Sequence, residues 1–344
     1  MGMRALLVGC GAMSRRWLDA AARIDGLTVA GLLDIDPARA RERAAEFGLA
    51  EAWTGSDLTQ ALATVRPDVV FDVVVPEARF GVVMQAFRAG CHVLSEKPMA
   101  DSLDRAREMI AAARAAGVIH AVVQNRRYID GIRRLRTAVA GGGIGEVTSV
   151  HTDFFLAPRF GGFREEMRNV LLLDMAIHTF DAARYVVGGE PVAVYCHEEN
   201  PKGSWYAHGA SAYAIFEFDS GATYTYRGSW CAQGLRTSWE SAWRIVGSAG
   251  TLTWDGHDRF AAEREGTTAQ GVLRDGVPID VPPADPALRI GGHEGVMRDF
   301  VAAVRSGVPP ETAGQHNVRS LAMVFAAIES ARERRRVEIA PAGA

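Results

Sequence analysis

The chain has 344 residues, 48% hydrophobic and 23% charged, and this composition excludes fibrous and disordered classes while supplying more chain than one ordinary core fills, so two domains are expected. A formal net charge of -3 gives no field to hold a phosphate backbone or an anionic bilayer, which argues against nucleic acid and membrane partners. No apolar run reaches the roughly 18 residues of a membrane helix, no leader pattern opens the chain, and Cys10, Cys91, Cys196 and Cys231 lack metal or redox spacing; a cytoplasmic protein without a metal site is expected.

From residue 4 to about 121, short apolar runs alternate with alanine-rich amphipathic stretches, the pattern of β-α-β units and a parallel sheet. Residues 5–8 form the first predicted strand. Gly9-Cys10-Gly11-Ala12-Met13-Ser14 follows it and leads into a helical stretch at 15–22, the setting in which a glycine fingerprint holds a dinucleotide. Gly9 permits a tight turn, and Gly11 lets backbone approach a pyrophosphate at the helix N-terminus, where unpaired N–H groups and the dipole favour an anion. Ser14 stands where a third glycine belongs, so the motif is incomplete and a plain glycine-rich turn is its competing meaning. Asp34 ends the second strand, 27–33, where a carboxylate can accept hydrogen bonds from the adenosine ribose and repel a 2′-phosphate. NAD is favoured, and the neighbouring Arg15, Arg16 and Arg39 leave NADP open. The competing meaning of Asp34 is a turn residue in Asp34-Ile35-Asp36-Pro37.

Strands are predicted next at 69–75 and 92–94, the latter leading into Ser95-Glu96-Lys97-Pro98. Of 38 basic residues only Lys97 and Lys202 are lysines, and Lys97 sits just past a buried-looking strand, where parallel sheets present ligands. A lysine there is a compact charge on a flexible stem, suited to a carbinol oxygen in a way that a planar guanidinium is not. The bland meaning is one surviving lysine on a surface turn. Pro98 restricts the lysine backbone to extended geometry and admits a cis bond. Asp101 or Ser102 can cap a helix carrying Leu103, Ala106, Ile110 and Ala113 at helical spacing, and a strand follows at 118–123. The first domain is placed at residues 1–122 and the second at 123–344.

After Gly141-Gly142-Gly143 the strands become longer, aromatic and alternating. Asp174-Met175-Ala176-Ile177-His178 places a carboxylate and an imidazole four apart, on one face if the segment is helical. Imidazole titrates near neutrality and can take a proton, while Asp174 can orient it or bind a substrate hydroxyl. An inconsequential surface pair and half of a metal site compete with that reading; His151 and His293-Glu294 have no spacing that supports the second. Flat rings at Trp205 and Trp230 can cover the apolar face of a sugar, although such residues are often sheet core. A hairpin is predicted from 211–218 through Asp219-Ser220-Gly221 to 222–230, with Tyr224, Tyr226 and Trp230 on one face and Thr223, Thr225 and Arg227 on the other. A helix at 318–335 with Leu321, Val324, Phe325 and Ile328 on one side closes the chain.

Through Gly9-Cys10-Gly11-Ala12-Met13, Asp34, Glu96-Lys97-Pro98 and Asp174-Met175-Ala176-Ile177-His178 the chain resembles the Gfo/Idh/MocA family of NAD(P)-dependent oxidoreductases across nearly its whole length. The resemblance implies an α/β fold: an N-terminal Rossmann dinucleotide-binding domain, then an α/β domain with a large, mostly antiparallel open sheet used to form homodimers or homotetramers. It implies that Gly9, Gly11, Ala12, Met13, Asp34, Ile35, Pro76, Glu96 and Lys97 serve the cofactor, and that Lys97, Asp174 and His178 meet around the substrate, with Asn125 and Arg127 nearby. An inositol or sugar dehydrogenase is the nearest functional relative. Two departures stand out: Phe80 where the family often has histidine, and Arg168–Leu173 in place of a glycine-rich approach to Asp174. The expected reaction moves a hydride between the nicotinamide and a hydroxyl-bearing carbon of a cyclic sugar or polyol. An oxidoreductive glycosidase or lyase with transient hydride transfer, and a non-catalytic NAD sensor, are the alternatives.

Overall fold

The computed structural model describes residues 2–340. Its packing forms two units: residues up to Tyr128 with Arg289–Val318, and Ile129–Leu288 with the chain from Arg319 onward.

The first unit alternates strand and helix in chain order: β1 (Met3–Val8), α1 (Ser14–Ala21), β2 (Leu27–Leu33), α2 (Pro37–Glu46), β3 (Trp53–Gly55), α3 (Leu58–Val65), β4 (Val69–Asp72), α4 (Pro76–Arg88), β5 (His92–Ser95), α5 (Leu103–Ala116) and β6 (His120–Val122). Among the described residues these strands form a six-stranded parallel sheet ordered β3-β2-β1-β4-β5-β6, which reverses direction of winding between β1 and β4. Ligands of such sheets bind beyond the strand C-termini at that reversal. The predicted strand 69–75 is cut short at Asp72, because the Asp72 carboxylate accepts the Val74 N–H and Pro76 starts α4, where a missing N–H costs nothing. Ser102, not Asp101, caps α5 by accepting the Arg105 N–H at 3.3 Å.

The second unit holds α6 (Asp130–Ala140), β7 (Val147–Phe155), α7 (Phe163–Glu166), a π-helical turn Leu171–Ala176, α8 (Ile177–Val187), β8 (Pro191–Glu199), β9 (Ser211–Phe218), β10 (Thr223–Ser229), β11 (Ala242–Gly247), β12 (Gly250–Trp254), β13 (Phe260–Gln270) and β14 (Leu273–Pro278). The chain continues through α9 (His293–Ser306), α10 (Gly314–Glu333) and β15 (Val337–Glu338). Among the described residues a nine-stranded sheet runs β14-β13-β12-β11-β7-β10-β9-β8-β15, antiparallel except where β10 lies parallel to β7. The β9–β10 hairpin turns at Asp219-Ser220-Gly221 as expected, with Gly221 at a φ of 82°. Tyr224, Tyr226 and Trp230 are buried and Arg227 is exposed, matching the predicted faces. Phe180 of α8 covers the aromatic face, its ring 4.8 Å from Phe216 and 5.2 Å from Tyr226.

The division expected at 122/123 differs from this packing. The first unit runs on to Tyr128 and regains residues 289–318, because Val296, Met297, Phe300 and Val301 of α9 complete the core built by Trp17, Leu18 and Phe71. Texture along the chain reports strand type and cannot reveal a helix that returns to an earlier core.

Candidate active site

In the first unit the chain leaves β1 at Gly9 with φ of 99°, and a Cβ there would stand 2.7 Å from the Val73 carbonyl oxygen. Only glycine fits. Gly9→Ala is expected to cost about 1–3 kcal/mol and to abolish the rise in thermal midpoint on adding NAD; thermal unfolding with and without NAD checks both. Gly11 has no such neighbour, leaving its side of the loop open. The α1 N-terminus has no side-chain cap; the Ser14 and Arg16 N–H groups bond the Gly11 and Met13 carbonyls at 3.2 and 3.0 Å, the helix dipole favours an anion there, and Ser14 packs in the core with its hydroxyl donating to the Gly11 carbonyl at 2.6 Å. A serine thus replaces the third glycine without opening the helix–strand contact.

Asp34 is buried. Its Oδ2 accepts the Cys10 N–H at 2.7 Å and its Oδ1 the Asp36 N–H at 3.0 Å, so the carboxylate is fixed beside the glycine loop. Ile35 is 92% exposed and Met13 is also exposed, apolar surfaces available to a flat base. Arg15 is engaged by Glu46 at 2.7 Å and Arg39 faces Asp36 at 3.9 Å. Arg43, which sequence reasoning passed over, donates to the Cys10 and Gly11 carbonyls at 3.2 and 3.3 Å. Its helical position carries no motif, so no signal marked it. The cradle of Gly9, the α1 N-terminus and the fixed Asp34 fits a dinucleotide.

Lys97 follows β5, and the Lys97–Pro98 peptide is cis. Glu96 is buried; its Oε2 accepts the Lys97 N–H at 3.1 Å, and its Oε1 accepts the Trp17 indole N–H at 2.8 Å with His293 Nε2 3.9 Å away. Burial alone would push this carboxyl up, but His293, the Lys97 charge and the Trp17 donor outweigh it and hold the group below the usual range. His293, weighed from sequence only as a metal ligand, instead meets Asn125 Nδ2 at 3.3 Å through Nδ1. Arg127 is buried and donates to the Glu311 carbonyl at 3.4 Å. Glu96 therefore ties the Lys97 backbone to Trp17 and His293, and His293 also meets Asn125; Trp17 had no sequence signal beyond its residue type.

In the second unit Asp174 and His178 do not share one α-helix: Asp174 lies in the π-helical turn and His178 one residue into α8. The segment enters α8 through a wider π turn, and such turns recur at functional sites. Arg164 Nε donates to Asp174 Oδ2 at 2.8 Å while its guanidinium lies over Phe160 and Phe163. His178 is buried on a helix anchored one turn further on, where Ser320 donates to Asp181 at 2.5 Å and accepts from Arg184 at 2.8 Å. Trp205 carries Arg159 over its ring at 3.9 Å and donates to the Pro158 carbonyl at 3.1 Å. Trp230 differs from expectation: it is 1% exposed, packed by Phe160 and Tyr206, and buttresses the wall instead of offering a face to a sugar.

Asn169, at φ of 50°, replaces one of the expected glycines before Asp174 and donates its amide to Glu198. Burial pushes the Glu198 carboxyl up to about 7, with Asn169 only partly opposing. Between about pH 4 and this value the folded chain keeps a proton that the unfolded chain has released, so this group's contribution to stability falls as pH rises through that window. Glu198→Gln is expected to flatten the fall; the drop in thermal midpoint from pH 5 to pH 8 should be smaller than in the wild type. Among the described residues no group of three or more His, Cys, Asp or Glu is placed to hold a metal ion, and no helix is long and apolar enough to cross a membrane.

Residues 3–124 match the model of the oxidoreductase family with an NAD-binding Rossmann fold, and residues 132–253 match the GFO/IDH/MocA C-terminal domain. The chain belongs to the Gfo/Idh/MocA family of NAD-binding oxidoreductases. It is 29% identical to the D-apiose dehydrogenase of Paraburkholderia graminis over 98% of this chain and 89% of that one. It is 26% identical to the 1,5-anhydro-D-fructose reductase of Ensifer adhaerens over 97% of each. An oxidoreductase from Agrobacterium radiobacter, solved with NAD+, L-tartaric acid and magnesium, superposes with a TM-score of 0.85 at 21% identity, covering 98% of this chain and 99% of that one. The first unit of this oxidoreductase is therefore its NAD-binding Rossmann domain.

Proposed function

We propose that the protein oxidises a secondary hydroxyl of a cyclic sugar or polyol, with Lys97, Asp174 and His178 acting at the reacting carbinol. The observation that carries this reading is Lys97 itself: one of two lysines in an arginine-rich chain, held by Glu96 at the C-terminal end of β5, where a parallel sheet presents its ligands. The chemistry that NAD supplies when bound is acceptance of the hydride. As the carbinol carbon loses that hydride, its hydroxyl must lose a proton and the oxygen builds up negative charge. His178 takes the proton, and the Lys97 ammonium stabilises the charge. Asp174, oriented by Arg164, positions a substrate hydroxyl or the imidazole. Asn125 and Arg127 read further hydroxyls, and the Trp205 ring covers an apolar sugar face. A fixed Asp34 carboxylate beside the glycine loop favours NAD over NADP.

Copies pair through the outward face of the nine-stranded sheet, where Tyr195, Tyr213 and Ile215 are exposed beside a hollow of about 940 Å³ bordered by His151 and Arg244. Such an apolar patch calls for a partner.

Incubating the protein with NAD or NADP and a panel of cyclitols, aldoses and glycosides, while following NADH absorbance and sugar products, tests the reading. Net NADH with a cyclic sugar or polyol supports it. Cleaved glycoside without net NADH would replace it with redox-neutral bond cleavage, and nucleotide binding without any product would leave a sensor.

A further inference from the structure

Beneath the Lys97 loop lies a second charged pair that the proposed chemistry does not use. Arg79 of α4 is 1% exposed and Asp72, the last residue of β4, is fully buried; Arg79 Nε donates to Asp72 Oδ2 at 2.8 Å. The same guanidinium donates to the Val74 carbonyl at 2.6 Å through one terminal nitrogen and to the Pro98 carbonyl through the other. Asp72 also accepts the Val74 N–H and a hydrogen bond from Ser95, whose hydroxyl meets His120 Nε2 at 3.1 Å. Burial, with Arg79 adding to it, pushes the His120 imidazole down to about 3, so this neighbour stays neutral at working pH. One planar fork thus joins three chain segments: the end of β4, the turn into α4, and the peptide that follows Lys97.

Burying a guanidinium and a carboxylate is expensive, and replacing such a pair by neutral residues of similar volume is often neutral or stabilising. Stability alone gives little reason for it. What apolar residues cannot do is hold two backbone carbonyls of separate loops on one rigid group; a lysine point charge cannot match the geometry either. We propose that Arg79, fixed by Asp72, is a positioning residue that sets the place of the Lys97 amine by clamping the Lys97–Pro98 segment to the turn at Val74. The catalytic part of this inference rests on the role proposed for Lys97.

The test uses Asp72→Asn with Arg79→Leu, which removes both charges together and keeps an acceptor for the Val74 N–H. Arg79→Leu alone strands a buried carboxylate and is the destabilised control. Because Lys97 and Lys202 are the two lysines of the chain, acylation of Lys97 relative to Lys202, followed by peptide mass spectrometry, reads the placement of the amine without needing turnover. The expected result is a thermal midpoint that recovers at least half of the single variant's loss, kcat lower by about 10- to 100-fold, and a Lys97:Lys202 acylation ratio raised severalfold. A folded double variant with kcat and ratio both near wild type overturns the proposal, as does a lower kcat with an unchanged ratio. A raised ratio with unchanged kcat supports the clamp and removes Lys97 from the chemistry; a wild type inactive on every substrate likewise defeats the proposed function, while the ratio still decides the clamp. If the double variant does not fold, Arg79→Lys, which keeps the charge but not the three-way geometry, is read by the same two measurements and with the same two deciding results.

Discussion

Lys97→Arg is expected to lower kcat on the order of 10²- to 10³-fold while NAD affinity, measured by isothermal titration, changes by less than about fivefold. The substitution keeps a positive charge, so a loss cannot be assigned to the long-range field. It exchanges a compact ammonium for a broader planar group whose charge is delocalised. In a loop fixed from both sides, by Glu96 at the Lys97 N–H and by Arg79 at the Pro98 carbonyl, the backbone cannot retreat to accommodate the larger head. Stabilisation of a developing oxyanion depends on a donor waiting at the right place, and a misplaced donor must reorganise during the step. Turnover near wild type in this variant would remove Lys97 from the chemistry.

His178→Asn is expected to lower kcat about 10²- to 10⁴-fold, with the deficit narrowing as pH rises. Asparagine keeps hydrogen-bonding capacity near the ring position but cannot take a proton, so removal of the hydroxyl proton falls to solvent base, which grows more abundant at higher pH. The fold should survive, because α8 is held by Phe180 in the aromatic core and by the Asp181–Ser320–Arg184 bonds, none of which involves residue 178. Comparing pH–rate profiles of the two proteins checks this. A deficit that stays constant with pH would mean that His178 orients the substrate and does not accept its proton.

The difference between what the sequence disclosed and what it hid follows from the range of each interaction. Strand–turn–helix around Gly9 was legible because a positive φ and a backbone clash at one position demand glycine. The hairpin at Asp219-Ser220-Gly221 was legible because Gly221 takes a positive φ, here without a clash, and the alternation of Tyr224 and Tyr226 with Thr223, Thr225 and Arg227 fixed its faces. Lys97 stood out because a single residue type is so rare in this chain. What stayed hidden is carried by contacts between distant segments. Return of α9 to the first core depends on Val296 and Phe300 meeting Trp17, which no local periodicity announces. The π turn at Asp174 depends on backbone pairing that the helical spacing of Asp174 and His178 could not distinguish from an ordinary α-helix. Trp230 looked like a candidate sugar platform by type, and its burial behind Phe160 and Tyr206 is decided by loops far from it in sequence. Arg79 and Asp72 had no motif at all; only the burial of both, the bond between them and the two carbonyls that Arg79 holds bring them into view.

Direct hydride transfer is the centre of this account, and one labelling measurement addresses it. The protein is incubated with NAD and a cyclic polyol deuterated at every carbinol carbon, and the reduced nucleotide is isolated for mass spectrometry. One deuterium carried on the nicotinamide of each NADH formed, with the matching ketone as product, is the predicted result. NADH without deuterium, or a ketone formed with no change in the nucleotide, would contradict it.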